Sequence, residues 1–82
     1  MAIVFMPKLP VVTPRKMTRA LSRLGFNVYS KKGRGGHIML AHPDGRKTIV
    51  PMHSKDIPTG TLLAILKDIK ISKEEFVEML SN

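Results

Sequence analysis

A β-hairpin is encoded by the stretch His37-Ile38-Met39-Leu40-Ala41-His42-Pro43-Asp44-Gly45-Arg46-Lys47-Thr48-Ile49-Val50. Both arms are rich in apolar and β-branched residues, which favour strands. Between the arms, Pro43-Asp44-Gly45 is a turn, because proline presets φ and glycine can take the left-handed conformation. The register stays open, since a two-residue and a three-residue loop pair different residues and a shift of one residue exchanges the two faces.

A helix precedes the strands. Thr13 is a suitable N-cap, Pro14 fits the first helical position, and Gly25 can supply the left-handed residue that ends a helix. Between these limits the apolar residues follow the i, i+3, i+4, i+7 spacing of one helix face; they are Met17, Ala20, Leu21 and Leu24. Residues 26–30 then form a first strand, in which Val28 and Tyr29 are the β-formers.

Two helices follow the hairpin. The second begins near Thr59 as its N-cap, and a short third helix opens at Ser72, which forms an S-x-x-E capping box with Glu75. The order is α-β-β-β-α with a short extra C-terminal helix. Three strands need a cover on one face, and two amphipathic helices can supply it. The sequence therefore predicts an α+β fold: a two-layer α/β sandwich with a three-stranded antiparallel sheet whose other face is partly open.

The chain has 82 residues and no cysteine, which indicates one domain without disulfides, thiolate metal sites or a cysteine nucleophile. Residues 1–12 are predicted to be an extended N-terminal arm, because Pro7 and Pro10 disfavour helix, and residues 13–82 the single domain. The apolar N-terminal run is too short for a signal peptide or a membrane span. The expected compartment is the cytoplasm, and the free protein is expected to be a monomer.

Charge points to the class of partner. Lys and Arg number 14 and Asp and Glu 6, so the net charge is +8. A polyanionic partner fits this excess, with nucleic acid first, an acidic protein second and a membrane surface third. Four cations lie off the apolar face of the first helix, where a solvated helix face is the simplest interpretation; they are Arg15, Lys16, Arg19 and Arg23.

The segment that leads into the hairpin carries the candidate chemistry. It reads Lys31-Lys32-Gly33-Arg34-Gly35-Gly36-His37. Histidine can take or give a proton near neutral pH, glycines allow a backbone to approach a ligand closely, and cations hold phosphates. We interpret the segment as a shallow site that handles phosphodiesters. The alternative is a basic surface loop in which the histidine is incidental.

The sequence offers little for metal or nucleotide chemistry. No pair of carboxylates converges in an obvious way, and the histidines lack the spacing of a zinc site, so no metal and no cofactor are predicted. There is no phosphate-binding glycine loop that opens a helix. RNA, however, carries its own nucleophile. A base that removes the 2′-OH proton lets that oxygen attack the adjacent phosphorus, which leaves a cyclic phosphate and a free 5′-OH.

In this hypothesis His37 transfers the proton and nearby cations stabilise charge on the phosphate. A hydrogen-bonded structural role competes with catalysis for His53, and a structural role is expected for His42. The residues predicted to contact RNA are Lys31, Lys32, Arg34, Gly35, Gly36, Arg46, Lys47 and His53.

Several short motifs occur together in one order. They are Leu9-Pro10-Val11-Val12-Thr13, Leu24-Gly25-Phe26, Gly35-Gly36-His37, His42-Pro43-Asp44-Gly45, Val50-Pro51-Met52-His53, and Gly60-Thr61-Leu62 running into Ile65-Leu66. With this set the chain resembles the HicA-type (YcfA-like) toxins, which are the mRNA interferases of HicAB toxin–antitoxin systems. The resemblance covers nearly everything from Pro7 onward.

The resemblance implies a fold like a double-stranded-RNA-binding domain, ribosome-independent cleavage of mRNA, and neutralisation by a HicB-type antitoxin. The catalytic histidine of the family stands in a Gly-Ser-His motif, which carries over to Gly35 and His37. Gly36 occupies the serine position, a departure from the commonest pattern.

Two other functions stay open. The first is a non-catalytic module that binds single-stranded RNA; the helix start at Thr59-Gly60-Thr61-Leu62-Leu63 has no cation, which speaks against duplex binding. The second is a partner-only protein whose basic face meets an acidic antitoxin.

Overall fold

A computed structural model of the protein describes residues 9–31, 36–52 and 55–81, with Ser30, Lys31 and Ser81 described by their backbone alone. The elements are α1 (Pro14–Arg23), β1 (Asn27–Lys31), β2 (His37–Ala41), β3 (Lys47–Pro51), α2 (Thr59–Ile69) and α3 (Lys73–Ser81). The strands form an antiparallel sheet in the order β1-β2-β3. The predicted order and two-layer α+β class are confirmed, although β1 starts one residue later and β3 is one residue longer at each end.

The core lies between the sheet and its helices. Its fully or almost fully buried side chains are Val12, Met17, Leu21, Phe26, Leu40, Val50, Ile57, Leu62, Ile65, Leu66, Ile69 and Phe76. Val12 precedes α1, and its carbonyl accepts a hydrogen bond from the Ile57 backbone N–H at 2.8 Å. The chain just before α1 is therefore packed on the domain. Residues 1–8 of the predicted arm lie outside the described residues.

Both ends of α1 follow local rules. The Thr13 hydroxyl accepts a hydrogen bond from the Lys16 N–H at 3.2 Å, as an N-cap does. At the other end Gly25 has φ +99°, and the Phe26 N–H donates to the Leu21 carbonyl at 3.0 Å. This is a Schellman ending, in which the glycine reverses the chain into β1. The predicted cap and stop are confirmed.

Of the predictions for the ends of the two later helices, one is confirmed and one is wrong. The capping box at α3 is confirmed, because the Ser72 N–H donates to Glu75 Oε1 at 2.9 Å and the Glu75 N–H donates to Ser72 Oγ at 3.0 Å. The N-cap prediction for Thr59 is wrong: Pro58 is the cap of α2, and no side chain satisfies the first N–H groups. Lys70 ends α2 in the left-handed region, with φ +57°.

The hairpin register is settled by a three-residue loop, Pro43-Asp44-Gly45. The His42 N–H donates to the Arg46 carbonyl at 2.8 Å, and Gly45 has φ +102°. Across the strands His37 faces Pro51, Met39 faces Ile49, and Ala41 faces Lys47. The alternate residues Leu40, Thr48 and Val50 are buried under the helices. His37 therefore belongs to the face of the sheet that the helices leave open.

Candidate active site

His37 stands at one end of the central strand. It is the first residue of β2, its side chain is half-buried, and its partner across the sheet is the buried Pro51. Gly36 comes immediately before it, exposed and with φ +63°, and the Gly36 carbonyl accepts a hydrogen bond from the Met52 N–H at 2.8 Å. Backbone bonds on both sides thus fix where the imidazole leaves the sheet. His37 thus stands at the rim of the face that the helices leave open, and its side chain is partly exposed.

Part of the predicted phosphate-binding set lies at the same end. Lys31 is the last residue of β1 and is paired with Ile38, so its backbone lies next to the first residues of β2. Lys32, Arg34, Gly35 and His53 lie outside the described residues. Within the described part, the structure brings together His37, Gly36 and the backbone of Lys31.

Arg46 and Lys47 lie at the other end of the hairpin. Lys47 is paired with Ala41, four residues along β2 from His37. A strand rises about 3.4 Å per residue, which separates these two positions by about 14 Å. A strand that begins at His37 must place the residues beside its turn at the far end. Both cations stay predictions as RNA ligands, but the structure does not group them with His37.

The Arg46 guanidinium is engaged in structural contacts. Its Nε donates to Asp44 Oδ2 at 2.8 Å, its Nη1 donates to the Ile69 carbonyl at 2.6 Å, and it lies 5.1 Å from the centre of the Phe26 ring. It thereby joins the turn, the C-terminus of α2 and the core. Lys47 is exposed, with Nζ 5.8 Å from the centre of the Tyr29 ring.

His42 has the structural role expected from the sequence. Its Nε2 lies 3.1 Å from the Leu24 carbonyl, and its Nδ1 lies 3.1 Å from the Asp44 backbone N–H. A carbonyl can only accept, so Nε2 is the donor in the contact with Leu24, while Nδ1 also lies 3.1 Å from Asp44 Oδ1. The ring also meets Phe26 edge to face at 5.1 Å. His42 thus ties the hairpin turn to the end of α1.

The Asp44 carboxylate completes this turn. Its pKa is held below the ordinary value, chiefly because it accepts a hydrogen bond from the Arg46 backbone N–H and further because the Arg46 side chain binds it. Asp44 is therefore ionised throughout the neutral range and belongs to the turn.

A groove of about 350 Å³ lies along the outer edge of β3, between that strand and α2, and His37 does not line it.

Among residues 9–31, 36–52 and 55–81, no three His, Asp or Glu side chains are placed to hold one metal ion. Within the same ranges, every helix is too short or too polar to cross a lipid bilayer.

The basic surface of α1 is one that the sequence predicts only to be a solvated helix face. Arg15, Lys16, Arg19 and Arg23 are all exposed on α1. Thr18 Oγ1, in the middle of the helix, lies 3.4 Å from Met52 Sδ, and Met52 is bonded to Gly36. The α1 helix therefore passes the end of the sheet that carries His37. No pattern within the helix could have shown this, because the contact joins residues 34 positions apart.

The fold and the site together define a class: a small α+β domain in the α-β-β-β-α order of double-stranded-RNA-binding domains, with an added helix and a histidine at the rim of its open sheet face. The family model described as "HicA toxin of bacterial toxin-antitoxin" matches residues 14–71, from the start of α1 to just past the end of α2. The chain therefore belongs to the HicA family and is the toxin of a toxin–antitoxin system. No curated protein matches it.

Proposed function

We propose that the protein is an endoribonuclease, an mRNA interferase that needs no metal and is neutralised by a HicB-type antitoxin. One observation carries the proposal: in a chain of the HicA family, a half-buried histidine stands at the rim of an otherwise open sheet face, beside the strand end that leads into a basic segment. A surface site of this kind suits a long substrate that lies across the domain.

The chemistry follows from what each group can do. His37 takes the proton from a ribose 2′-OH, and the freed oxygen attacks the adjacent phosphorus. The bond from phosphorus to the 5′-oxygen breaks, and that oxygen takes a proton from water and leaves as a 5′-OH. The other product is a 2′,3′-cyclic phosphate. Positioned proton transfer contributes about 100- to 10,000-fold, and Lys31, Lys32 and Arg34 would stabilise charge on the non-bridging oxygens.

Gly36 suits this site despite its departure from the family motif. At φ +63° a residue with a side chain is strained, so this backbone favours glycine over serine. The missing side chain also lets a phosphate approach the backbone beside His37. Gly36 would therefore serve the substrate through its main chain.

The antitoxin follows from the family and the charge. A toxin of a toxin–antitoxin system has a cognate inhibitor, and a protein of net charge +8 favours an acidic one. We propose that the inhibitor covers His37 and the cations around it. Co-expression with the protein of the adjacent gene tests this; a pair that copurifies yet still cleaves RNA would contradict the proposed mode of neutralisation.

The decisive experiment is incubation with single-stranded RNA in EDTA, followed by end-group analysis of the fragments. The expected products carry cyclic phosphate and 5′-OH ends, and His37→Ala should reduce the rate at least about 100-fold. Lys67→Ala is the control, because Lys67 is an exposed residue in the last turn of α2, whose final residue Ile69 is bonded to Arg46 at the other end of the hairpin. Equal cleavage by a folded His37→Ala protein would remove this residue from the mechanism. Intact RNA that still binds in a salt-dependent manner would indicate a non-catalytic RNA-binding module instead.

A further inference from the structure

The outer face of α1 is an uninterrupted row of positive charge. Arg15, Arg19 and Arg23 recur every four residues, and an α-helix rises about 1.5 Å per residue, so successive arginines are about 6 Å apart along the axis. Lys16 lies on the same exposed side. The helix contains no Asp or Glu, and none of the four cations has a carboxylate within 4.0 Å in the described part of the chain.

The stability of the helix does not account for this row. Arg15 and Lys16 lie in the first turn, where the helix dipole is positive and an acidic residue would be favoured. Arg15 and Arg19, and Arg19 and Arg23, are like charges at i, i+4, which repel each other. A bound polyanion would turn both unfavourable terms into favourable ones. The arrangement therefore points to a ligand and not to the fold.

The N-terminal end of the row lies at the end of the sheet that carries His37. Thr18 touches Met52, whose N–H is bonded to the carbonyl of Gly36, the residue before His37. Arg15 lies one turn before Thr18 and Arg19 directly follows it. His37 and the N-terminal half of α1 lie at the same end of the sheet, on its open side and its helix-covered side respectively. An RNA strand that passes His37 can therefore reach Arg15 and Arg19 by bending around that end.

We propose that α1 binds the phosphates of the RNA strand that His37 cleaves, on one side of the scissile bond. This rests on the proposed ribonuclease function and gives the substrate a binding track on α1. A regular row of arginines suits the repeating charge of a nucleic-acid strand. A protein partner would need apolar or aromatic anchors. The exposed large apolar side chains of the described residues are Val11, Val28, Tyr29, Ile49 and Leu63, none of them on α1.

Binding is measured with wild-type protein and a single-stranded 2′-O-methyl RNA, which binds but cannot be cut because its 2′-oxygen is blocked. Arg15→Gln/Arg19→Gln removes two charges from α1. The matched control, Lys67→Gln/Lys73→Gln, removes two charges from α2 and α3. For single strands the plot of log affinity against log salt has a slope of about −0.7 per phosphate neutralised, so the α1 variant should lose about 1.4 units of slope. The control should keep its slope.

An unchanged slope for the α1 variant, or an equal loss in the control, would overturn the proposal. So would an α1 variant that binds RNA normally but no longer binds an acidic antitoxin, because the face would then belong to a protein partner. Thermal denaturation confirms folding, and the α1 variant should melt no lower than wild type because it has lost repelling charges.

Cleavage of ordinary RNA in parallel separates the two proposals. The α1 variant should raise KM with little change in kcat, because the track holds RNA and takes no part in proton transfer. If the α1 variant loses slope but the wild type cleaves no RNA, the ribonuclease proposal is refuted and the proposal that α1 binds RNA stands. If the wild type cleaves RNA but the α1 variant keeps its slope, only the proposal that α1 binds RNA is refuted.

Discussion

Arg46→Ala should destabilise the protein while leaving its chemistry intact. The charged hydrogen bond from the guanidinium to the Ile69 carbonyl at 2.6 Å is worth about 1.5–3 kcal/mol. The contact with the Phe26 ring at 5.1 Å adds roughly 0.5–1 kcal/mol. Together they predict a loss of about 2–4 kcal/mol in the free energy of unfolding. A domain of 82 residues has only about 4–12 kcal/mol in total.

Chemical denaturation followed by circular dichroism measures this loss directly. Thermal denaturation should show a fall in Tm of at least about 8 °C, since 1 kcal/mol corresponds to roughly 4–8 °C in a domain of this size. Lys47→Ala is the matched control, because Lys47 is the exposed neighbouring cation and loses only its contact with the Tyr29 ring, so its change should stay within about 1 kcal/mol.

RNA cleavage at low temperature, where both variants are folded, completes the comparison. Arg46→Ala should then cleave RNA as wild type does, since its guanidinium is engaged far from His37. Wild-type stability combined with weakened RNA binding would refute this reasoning and make Arg46 a phosphate ligand.

Three further changes test the turns and helix ends. Gly25→Ala should lower the free energy of unfolding by about 1–3 kcal/mol, because φ is +99° and an added Cβ would lie 3.0 Å from His42 Nε2. In Gly60→Ala the added Cβ meets nothing within 4 Å, so this variant should be more stable by about 0.5–1 kcal/mol. Equal effects of the two variants in chemical denaturation would contradict the strain argument. Lys70→Gly should gain roughly 1 kcal/mol in the same assay, because Lys70 has φ +57° at the end of α2; a loss would mean that its side chain holds the helix end. Asp44→Asn should lower stability at neutral pH. The fold lowers the pKa of this carboxyl below 3.8, so its contribution is full above that value and disappears as pH falls through the folded pKa; a deficit that persists at lower pH would assign the effect to something other than ionisation.

Local chemistry made much of the fold predictable from the sequence. The cap at Thr13, the stop at Gly25 and the capping box between Ser72 and Glu75 each involve residues at most a few positions apart. The turn at Pro43-Asp44-Gly45 is equally local. The length of its loop could not be predicted, because the sequence is compatible with two registers. Only the pairing of Ala41 with Lys47 settles which strand residues share a face with His37.

The composition of the site was less predictable, because charge does not reveal position. Arg46 and Lys47 follow the turn closely, and the sequence predicts that they contact RNA together with the cations of the segment before His37. The strand carries them to the far end, and the contact of Arg46 with Ile69 joins residues 23 positions apart. The nearness of α1 to the His37 end likewise depends on the contact between Thr18 and Met52, for which the sequence contains no local signal.

The two outer strands explain how such a small sheet can avoid joining to another copy of itself. Within the described residues, β1 and β3 pair only with β2, so each has a row of outward-facing backbone groups. Strand β1 is interrupted by a bulge between Val28 and Ser30, and β3 is five residues long, with a lysine at its start and a proline at its end. Bulges, charges and prolines are what natural sheets use to stop intermolecular strand pairing. This arrangement guards against aggregation through the sheet edges.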